Sequence, residues 1–263
     1  MSTTARTLVT GGTGRLGQTL LPRLREAGHK VRATSRSPPT DDETEWRRMN
    51  LADGIGIRDA LTDVDVVIHT ASAPLGDAEA VDVDGTTRLL DAAADAGVSN
   101  FVYISIVGIE DIPYSYYEHK LTAERAVEAS DVPSTVLRAT QFHSFVHDVL
   151  GMIARLPIWP LATKMQLQPI DTGVVADRLV EHATPEPSGR LDPIGGPEIR
   201  TAGELARAYR DVRGTWRPIV RVPVPGTVFS AFRDGKATCP DHAIGTVTWE
   251  EWLETTYEET ASS

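Results

Sequence analysis

Hydrophobic and polar positions in the first half of the chain switch repeatedly between two periods. RTLVT (6–10) is a short β-branched run that ends in glycines. The following LGQTLLPRLREAGH spaces its apolar residues along one helical face, with Gly28 where a C-cap glycine belongs. KVRATS (30–35) predicts the next strand, WRRMN (46–50) a short one, and DVDVVIHTA (63–71) another. AVDVDGTTRLLDAAADAGV (80–98) predicts a long helix closed by Gly97, and NFVYISIVG (100–108) is again β-branched and aromatic. Strands alternating with helices form βαβ units, so the predicted class is α/β, a doubly wound parallel sheet with helices on both faces. Pro22 interrupts the first helical pattern; it removes a hydrogen bond there and is expected to kink or shorten the helix.

Beyond STVLRATQF (134–142) the rhythm loosens. Prolines gather at 157, 160, 169, 185, 187, 193, 197, 218, 223 and 225, with brief helical stretches such as TAGELARAYRDVRG (201–214). The pattern divides the chain into a first domain at 1–145 and a smaller, loop-rich C-terminal lobe at 146–263. Some segments of the lobe are expected to return to the sheet.

Composition narrows the partners. A formal charge of −11 disfavours nucleic acid or an anionic membrane as the main partner, while leaving a small anionic ligand open to a local arginine cluster. Cys239 is the only cysteine, which excludes a disulfide framework and a thiolate metal cage. The structural pattern begins almost at the N-terminus, and the apolar VLGMIARLPIWPLAT (149–163) is too short to span a bilayer. The expected location is the cytoplasm, and the expected state a monomer or homodimer. Lysine is scarce: Lys30, Lys120, Lys164 and Lys236 are all there are.

The glycines after the first strand carry the clearest chemistry. Gly12, Gly14 and Gly17 have G-x-G-x-x-G spacing, and Gly11, Gly14 and Gly17 have G-x-x-G-x-x-G spacing. A strand, such a turn and then a helix form a dinucleotide cradle: the turn lets backbone approach a pyrophosphate, and the helix N-terminus presents free N–H groups. At the end of the second strand, where an NAD site usually offers a carboxylate to the ribose, the chain offers Ser35 and Arg36. An arginine there suits the 2′-phosphate of NADP, and Arg15 in the glycine turn adds a second positive group. NADP(H) is therefore expected over NAD(H).

These motifs resemble the short-chain dehydrogenase/reductase superfamily, and more narrowly its atypical NmrA-like NAD(P)-binding members, with a Rossmann-type fold. TGGTGRLG (Thr10, Gly11, Gly12, Thr13, Gly14, Arg15, Leu16, Gly17) is similar to the family's T-G-x-x-G-x-x-G. VVIHTAS (66–72), VYISIVG (102–108), STVLRATQF (134–142) and PIDTGVVADRLVEHA (169–183) resemble its later segments. In that frame YSYYEHK (114–120) opens the helix after the fifth strand, and Tyr116 and Lys120, four apart, share one helical face as the family's Y-x-x-x-K. The resemblance implies that Tyr116 exchanges a proton with a substrate carbonyl or alcohol. It also implies that Lys120 lowers the Tyr116 pKa and holds the nicotinamide ribose, and that Ser105 orients the carbonyl. Ser105 precedes Tyr116 by eleven residues, a slightly short interval for the superfamily.

Thr70, Ala71 and Ser72, ending the fourth strand, are further cofactor candidates. Asn50 and Leu51 are candidates for the adenine side, with Asp53 able to take the place of Asn50 there, and a turn role for Asn50 and Asp53 is the alternative. Phe142 and His143 are candidates for lining a substrate pocket. His143 and His147, four apart, lack a third ligand at metal spacing, so no metal is expected. The expected function is NADP-dependent hydride transfer with a small carbonyl, alcohol or quinone-like substrate. A non-catalytic NADP-binding redox sensor and an NAD(P)-dependent epimerase or dehydratase are the alternatives.

Overall fold

The computed structural model describes residues 5–40 and 43–262. The elements run β1 (Arg6–Thr10), α1 (Arg15–Glu26), β2 (Lys30–Ser35), β3 (Glu45–Arg48), α2 (Ile57–Ala60) and β4 (Val66–His69). A π-helical turn (Glu79–Asp84) then leads directly into α3 (Gly85–Ala96), followed by β5 (Asn100–Ile106), α4 (Ser115–Ala129) and β6 (Ser134–Ala139). Next come α5 (His143–Ile153), β7 (Trp159–Leu161), β8 (Gln166–Leu167), α6 (Thr172–Glu181) and β9 (Gly189–Arg190). The chain ends with β10 (Arg200–Thr201), α7 (Ala202–Val212), β11 (Ile219–Arg221), α8 (Thr227–Arg233) and α9 (Trp249–Ser262).

The chain forms two compact units. The first comprises residues 1–105, 115–138 and 175–192; the second comprises 106–114, 139–174 and 193–263. A seven-stranded sheet in the order β3-β2-β1-β4-β5-β6-β9 organises the first, with parallel ladders. This is the doubly wound α/β class read from the alternation. β4 is buried along its whole length and β5 along all but its last residue, as strands covered on both faces must be. On one face Leu8, Val67, Phe101 and Tyr103 pack with Ile57, Leu89, Leu90, Ala123 and Val127 from α2, α3 and α4.

In the strand order 3-2-1-4-5-6 the direction of winding reverses between β1 and β4, and ligands of such sheets bind at the C-terminal ends of the strands there. The glycine turn follows β1 and Thr70–Ser72 follow β4, so both border this switch point. Contrary to the expectation for Pro22, α1 runs through it as a continuous twelve-residue helix. Pro22 and Gln18, whose carbonyl loses its partner, are both exposed, so water replaces the missing hydrogen bond.

The second unit contains two short two-stranded sheets, β10-β8 and β11-β7. Its core is Val146, Leu150, Trp159, Leu205, Tyr209, Trp249 and Leu253. No helix among the described residues is long and apolar enough to cross a membrane. The same residues contain no cluster of three or more His, Cys, Asp or Glu that could hold a metal.

Candidate active and cofactor site

The first unit brings the glycine turn, the β4 end, the β5 end and the first turn of α4 to one end of the sheet. Gly11 adopts φ +66°, a left-handed conformation that favours glycine, and a Cβ there would sit 2.8 Å from the Ala71 Cα. Gly17, in the first turn of α1, packs on the turn itself: a Cβ would collide with the Gly11 carbonyl and lie 2.8 Å from the Gly12 Cα. The Gly14 N–H donates to the Gly11 carbonyl at 2.8 Å, and Gly14 serves as N-cap of α1 with no side chain over the helix end. The turn is therefore a bare backbone cradle at a helix N-terminus, the shape a pyrophosphate requires. Leu16 is buried, while Thr13 and Arg15 are exposed.

Thr10 locks this turn to the β4 end. Its Oγ1 accepts hydrogen bonds from the backbone N–H of Thr70 (3.2 Å) and Ala71 (3.3 Å), and the Thr70 hydroxyl donates to the Thr10 carbonyl at 2.7 Å. With both lone pairs engaged, the Thr10 hydroxyl proton goes to His69 Nδ1, 2.7 Å away. His69 Nε2 then carries the ring proton and donates to Thr86 Oγ1 at 2.9 Å. Burial, reinforced by the nearby Lys120 charge, lowers the His69 pKa to about 3, so the ring is a neutral strut between β1, β4 and α3.

At the edge of the cradle Ser35 ends β2, its Oγ 3.2 Å from Thr13 Oγ1 and accepting from the Ser37 N–H. Arg36 is exposed and makes no hydrogen bond or ion pair among the described residues. The register places Arg48, at the end of β3, beside Ser35, and paired residues of parallel strands project from the same face. Arg48 is exposed and equally unpaired among the described residues. Sequence reasoning missed it because its relation to Ser35 exists only through the ladder. Asn50 donates to Asp53 at 2.6 Å and accepts from the Ala52 N–H, closing the turn after β3. The Leu51 side chain is in the hydrophobic core.

Tyr116 and Lys120 both project from α4. Tyr116 Oη is 2.8 Å from Ser72 Oγ, and Ser72 Oγ donates to Asp82 Oδ1 at 2.6 Å. Asp82 Oδ2 accepts from the Ala73 N–H at 3.0 Å. Lys120 is only 3% exposed; its Nζ donates to the Ile104 carbonyl at 3.1 Å, sits 4.2 Å from the Tyr103 ring centroid and lies 3.8 Å from Asp82 Oδ1. Burial lowers its pKa to about 8, against the opposing pull of Asp82 and Glu124. Ser105, at the end of β5, is buried with no hydrogen-bond partner for Oγ among the described residues. Asp82 escaped the sequence reading altogether: it stands in a stretch legible only as an amphipathic helix, and the π-helical turn that aims it has no local signature.

Two observations fit a nicotinamide nucleotide. Among the described residues Lys120 makes one hydrogen bond with a group that carries three donors, and Ser105 Oγ is an orphan in a buried position. Both belong to the end of the sheet that carries the glycine cradle. The NAD(P)H-binding family model matches residues 11–145, from the glycine turn past β6 and over half of the chain. The chain belongs to the NAD(P)H-binding family.

Among relatives of this NAD(P)H-binding chain is a 3 beta-hydroxysteroid dehydrogenase/Delta 5-->4-isomerase of Mycobacterium tuberculosis (strain CDC 1551 / Oshkosh). It is 34% identical over 158 residues, 48% of this chain and 43% of the relative, so the match spans less than half of that protein's length. Among solved structures, MoeE5 in complex with UDP-glucose and NAD superposes with a TM-score of 0.77 at 20% identity, covering 98% of this chain and 99% of that one. The NADPH-dependent quinone oxidoreductase QOR2 of Escherichia coli, complexed with NADPH, also gives 0.77, at 15% identity over 95% and 99% of the two chains. At these identities the structural likeness is one of fold.

In the second unit His143 is buried and stacks on Trp249 and Trp252, with ring centroids 5.7 and 5.8 Å away. Its Nε2 is 3.1 Å from the Val247 carbonyl. His143 is thus part of an aromatic core, while Phe142, half-buried, is the N-cap of α5.

Proposed function

We propose that the protein is an NADP(H)-dependent oxidoreductase acting on a small carbonyl, its alcohol, or a quinone-like substrate, and that it is a member of the NmrA-like subgroup. The observation that carries this reading is the Tyr116–Lys120 pair on one face of α4, with the unpartnered Ser105 hydroxyl at the adjacent strand end. When bound, the nicotinamide supplies the hydride that a carbonyl carbon takes up, or accepts it in the reverse direction.

The chain supplies the rest. Ser105 Oγ–H donates a hydrogen bond to the carbonyl oxygen and fixes its orientation. Tyr116 Oη gives that oxygen its proton, so hydride and proton together make the alcohol; in oxidation Tyr116 takes the proton back. Lys120 is cationic below about pH 8, and a nearby ammonium stabilises the phenolate form of Tyr116. Its two remaining N–H donors suit the ribose hydroxyls.

Arg36 supports NADP(H) over NAD(H), and Arg48 strengthens the case: two guanidinium groups without a partner among the described residues flank Ser35, where a carboxylate would repel a 2′-phosphate. The mycobacterial dehydrogenase and QOR2 are named for activities of the same reaction class. The test is oxidation of NADPH by the purified protein against a panel of aliphatic ketones, aromatic aldehydes and quinones. Substrate-dependent loss of NADPH absorbance supports the reading; NADPH that binds but is consumed with no member of the panel contradicts it.

A further inference from the structure

We infer that Asp82 is a positioning residue for the Tyr116–Lys120 pair, acting as counter-ion to the Lys120 ammonium and, through Ser72, setting the direction of the Tyr116 hydroxyl. The kinetic part of this inference rests on the function proposed above; the electrostatic part rests on the protein alone.

Asp82 is 1% exposed, and both of its carboxylate oxygens accept hydrogen bonds. A buried carboxylate costs several kcal/mol unless it is paired and hydrogen-bonded, so its placement 3.8 Å from an equally buried ammonium is an energetically coupled arrangement. The groups facing Lys120 are Asp82 from the π-helical turn, Tyr103 from β5, His69 from β4, and Glu124 and Tyr116 from α4. Asp82 and Glu124 are the anions among them that favour the charged lysine, and the face of the Tyr103 ring adds a weaker cation–π attraction. Glu124 already answers to two other cations: it accepts from Arg138 and is bonded to Arg190 at 2.9 Å. Asp82 has no other basic partner among the described residues, so the charge on Lys120 depends chiefly on it.

The second arm follows from proton counting. Ser72 has one hydroxyl proton, and the carboxylate beside it only accepts, so that proton is given to Asp82. Ser72 Oγ must then accept from Tyr116, which makes Tyr116 Oη–H the donor across the 2.8 Å contact. The order Tyr116 to Ser72 to Asp82 holds the phenol in one rotamer with its proton directed to Ser72, from which it turns to the substrate oxygen when a carbonyl is bound.

The experiment uses protein carrying carbon-13 in its lysines, of which there are only four, with the Lys120 signal assigned by Lys120→Met. In the nucleotide-free wild type the Lys120 ε-methylene signal titrates at about 8. Asp82→Asn lowers that midpoint by about one unit or more, the usual effect of losing an opposite charge at this range. Ser72→Ala leaves it in place. With NADPH and an aromatic quinone as the probe substrate, Asp82→Asn moves the alkaline limb of the pH–kcat profile down by the same shift. Ser72→Ala lowers kcat about tenfold or more at unchanged KM and leaves the limb where it was. A Lys120 midpoint identical in wild type and Asp82→Asn overturns the counter-ion role. If that variant does not fold, a wild-type midpoint below about 7 overturns it equally, because the lysine would then be neutral with the carboxylate still present. An unchanged kcat in Ser72→Ala overturns the orienting role. If no quinone is reduced at all, the function proposed above fails while the lysine titration still decides the electrostatic claim.

Discussion

Tyr116→Phe lowers kcat for NADPH-dependent reduction by about 10²–10⁴-fold, the usual contribution of a positioned proton donor, and leaves NADPH affinity unchanged. The ring stays in the helix and keeps its edge contact with Tyr117, so the substitution removes only the oxygen 2.8 Å from Ser72. Because the phenol acts on the reacting oxygen and not on the nucleotide, the loss falls in kcat and kcat/KM together. A matching measurement by fluorescence titration separates the two steps. An equal loss of NADPH binding would assign Tyr116 to the cofactor and take away its catalytic role. Undiminished kcat would leave the placement of Tyr116 on the helix without a chemical purpose and favour a regulatory, nucleotide-sensing protein.

The second large effect is structural. Gly17→Ala pushes a methyl group into the Gly11 carbonyl and to 2.8 Å from the Gly12 Cα, both backbone atoms that cannot turn aside. Relief requires α1 to move off the turn, which costs about 1–3 kcal/mol and lowers Tm by several degrees in a chain of this size. The same displacement carries the helix N–H groups away from the pyrophosphate, so NADPH affinity falls on the order of 100-fold. Gly14→Ala makes the control. Its Cβ meets only the Gly11 carbonyl, at 3.1 Å, and the residue has an extended backbone that alanine adopts freely. Its Tm stays near wild type, which separates the packing of α1 on the turn from the mere addition of a methyl group there. If Gly17→Ala retained full affinity, the glycine turn would not be the nucleotide cradle.

Local signals carried most of the α/β core. Short β-branched runs bounded by glycine placed β1 and β2 at their observed limits, although RTLVT and KVRATS both carry buried polar residues such as Thr7, Arg32 and Thr34. The glycine turn was legible too: tight turns and close approach need glycine whatever surrounds them. Spacing alone put Tyr116 and Lys120 on one face, and both do lie in α4. What could not be read is what depends on register or on irregular backbone. Arg48 matters only beside Ser35, which requires the β2–β3 ladder. Asp82 is aimed inward by one π-helical turn, and His69 acquires its two threonine partners from elements 59 and 17 residues away. Leu51 and His143 show the converse. Each stands next to a plausible site position in sequence, yet the fold uses Leu51 in the sheet core and His143 in the aromatic core of the second unit.

The central claim, that the cradle and the arginines beside Ser35 hold NADP(H), is tested most directly by titrating the purified protein with NADPH, NADH, NADP⁺ and NAD⁺. Nicotinamide fluorescence reports the reduced forms directly and the oxidised forms by displacement, in wild type and in Arg36→Ala. The account predicts a preference for the phosphorylated nucleotides of about tenfold or more, the loss of a charge-assisted hydrogen bond being worth roughly 1.5–3 kcal/mol, and its collapse in the variant with NADH affinity unchanged. Equal affinity for all four nucleotides in the wild type, or a preference indifferent to Arg36, would contradict it.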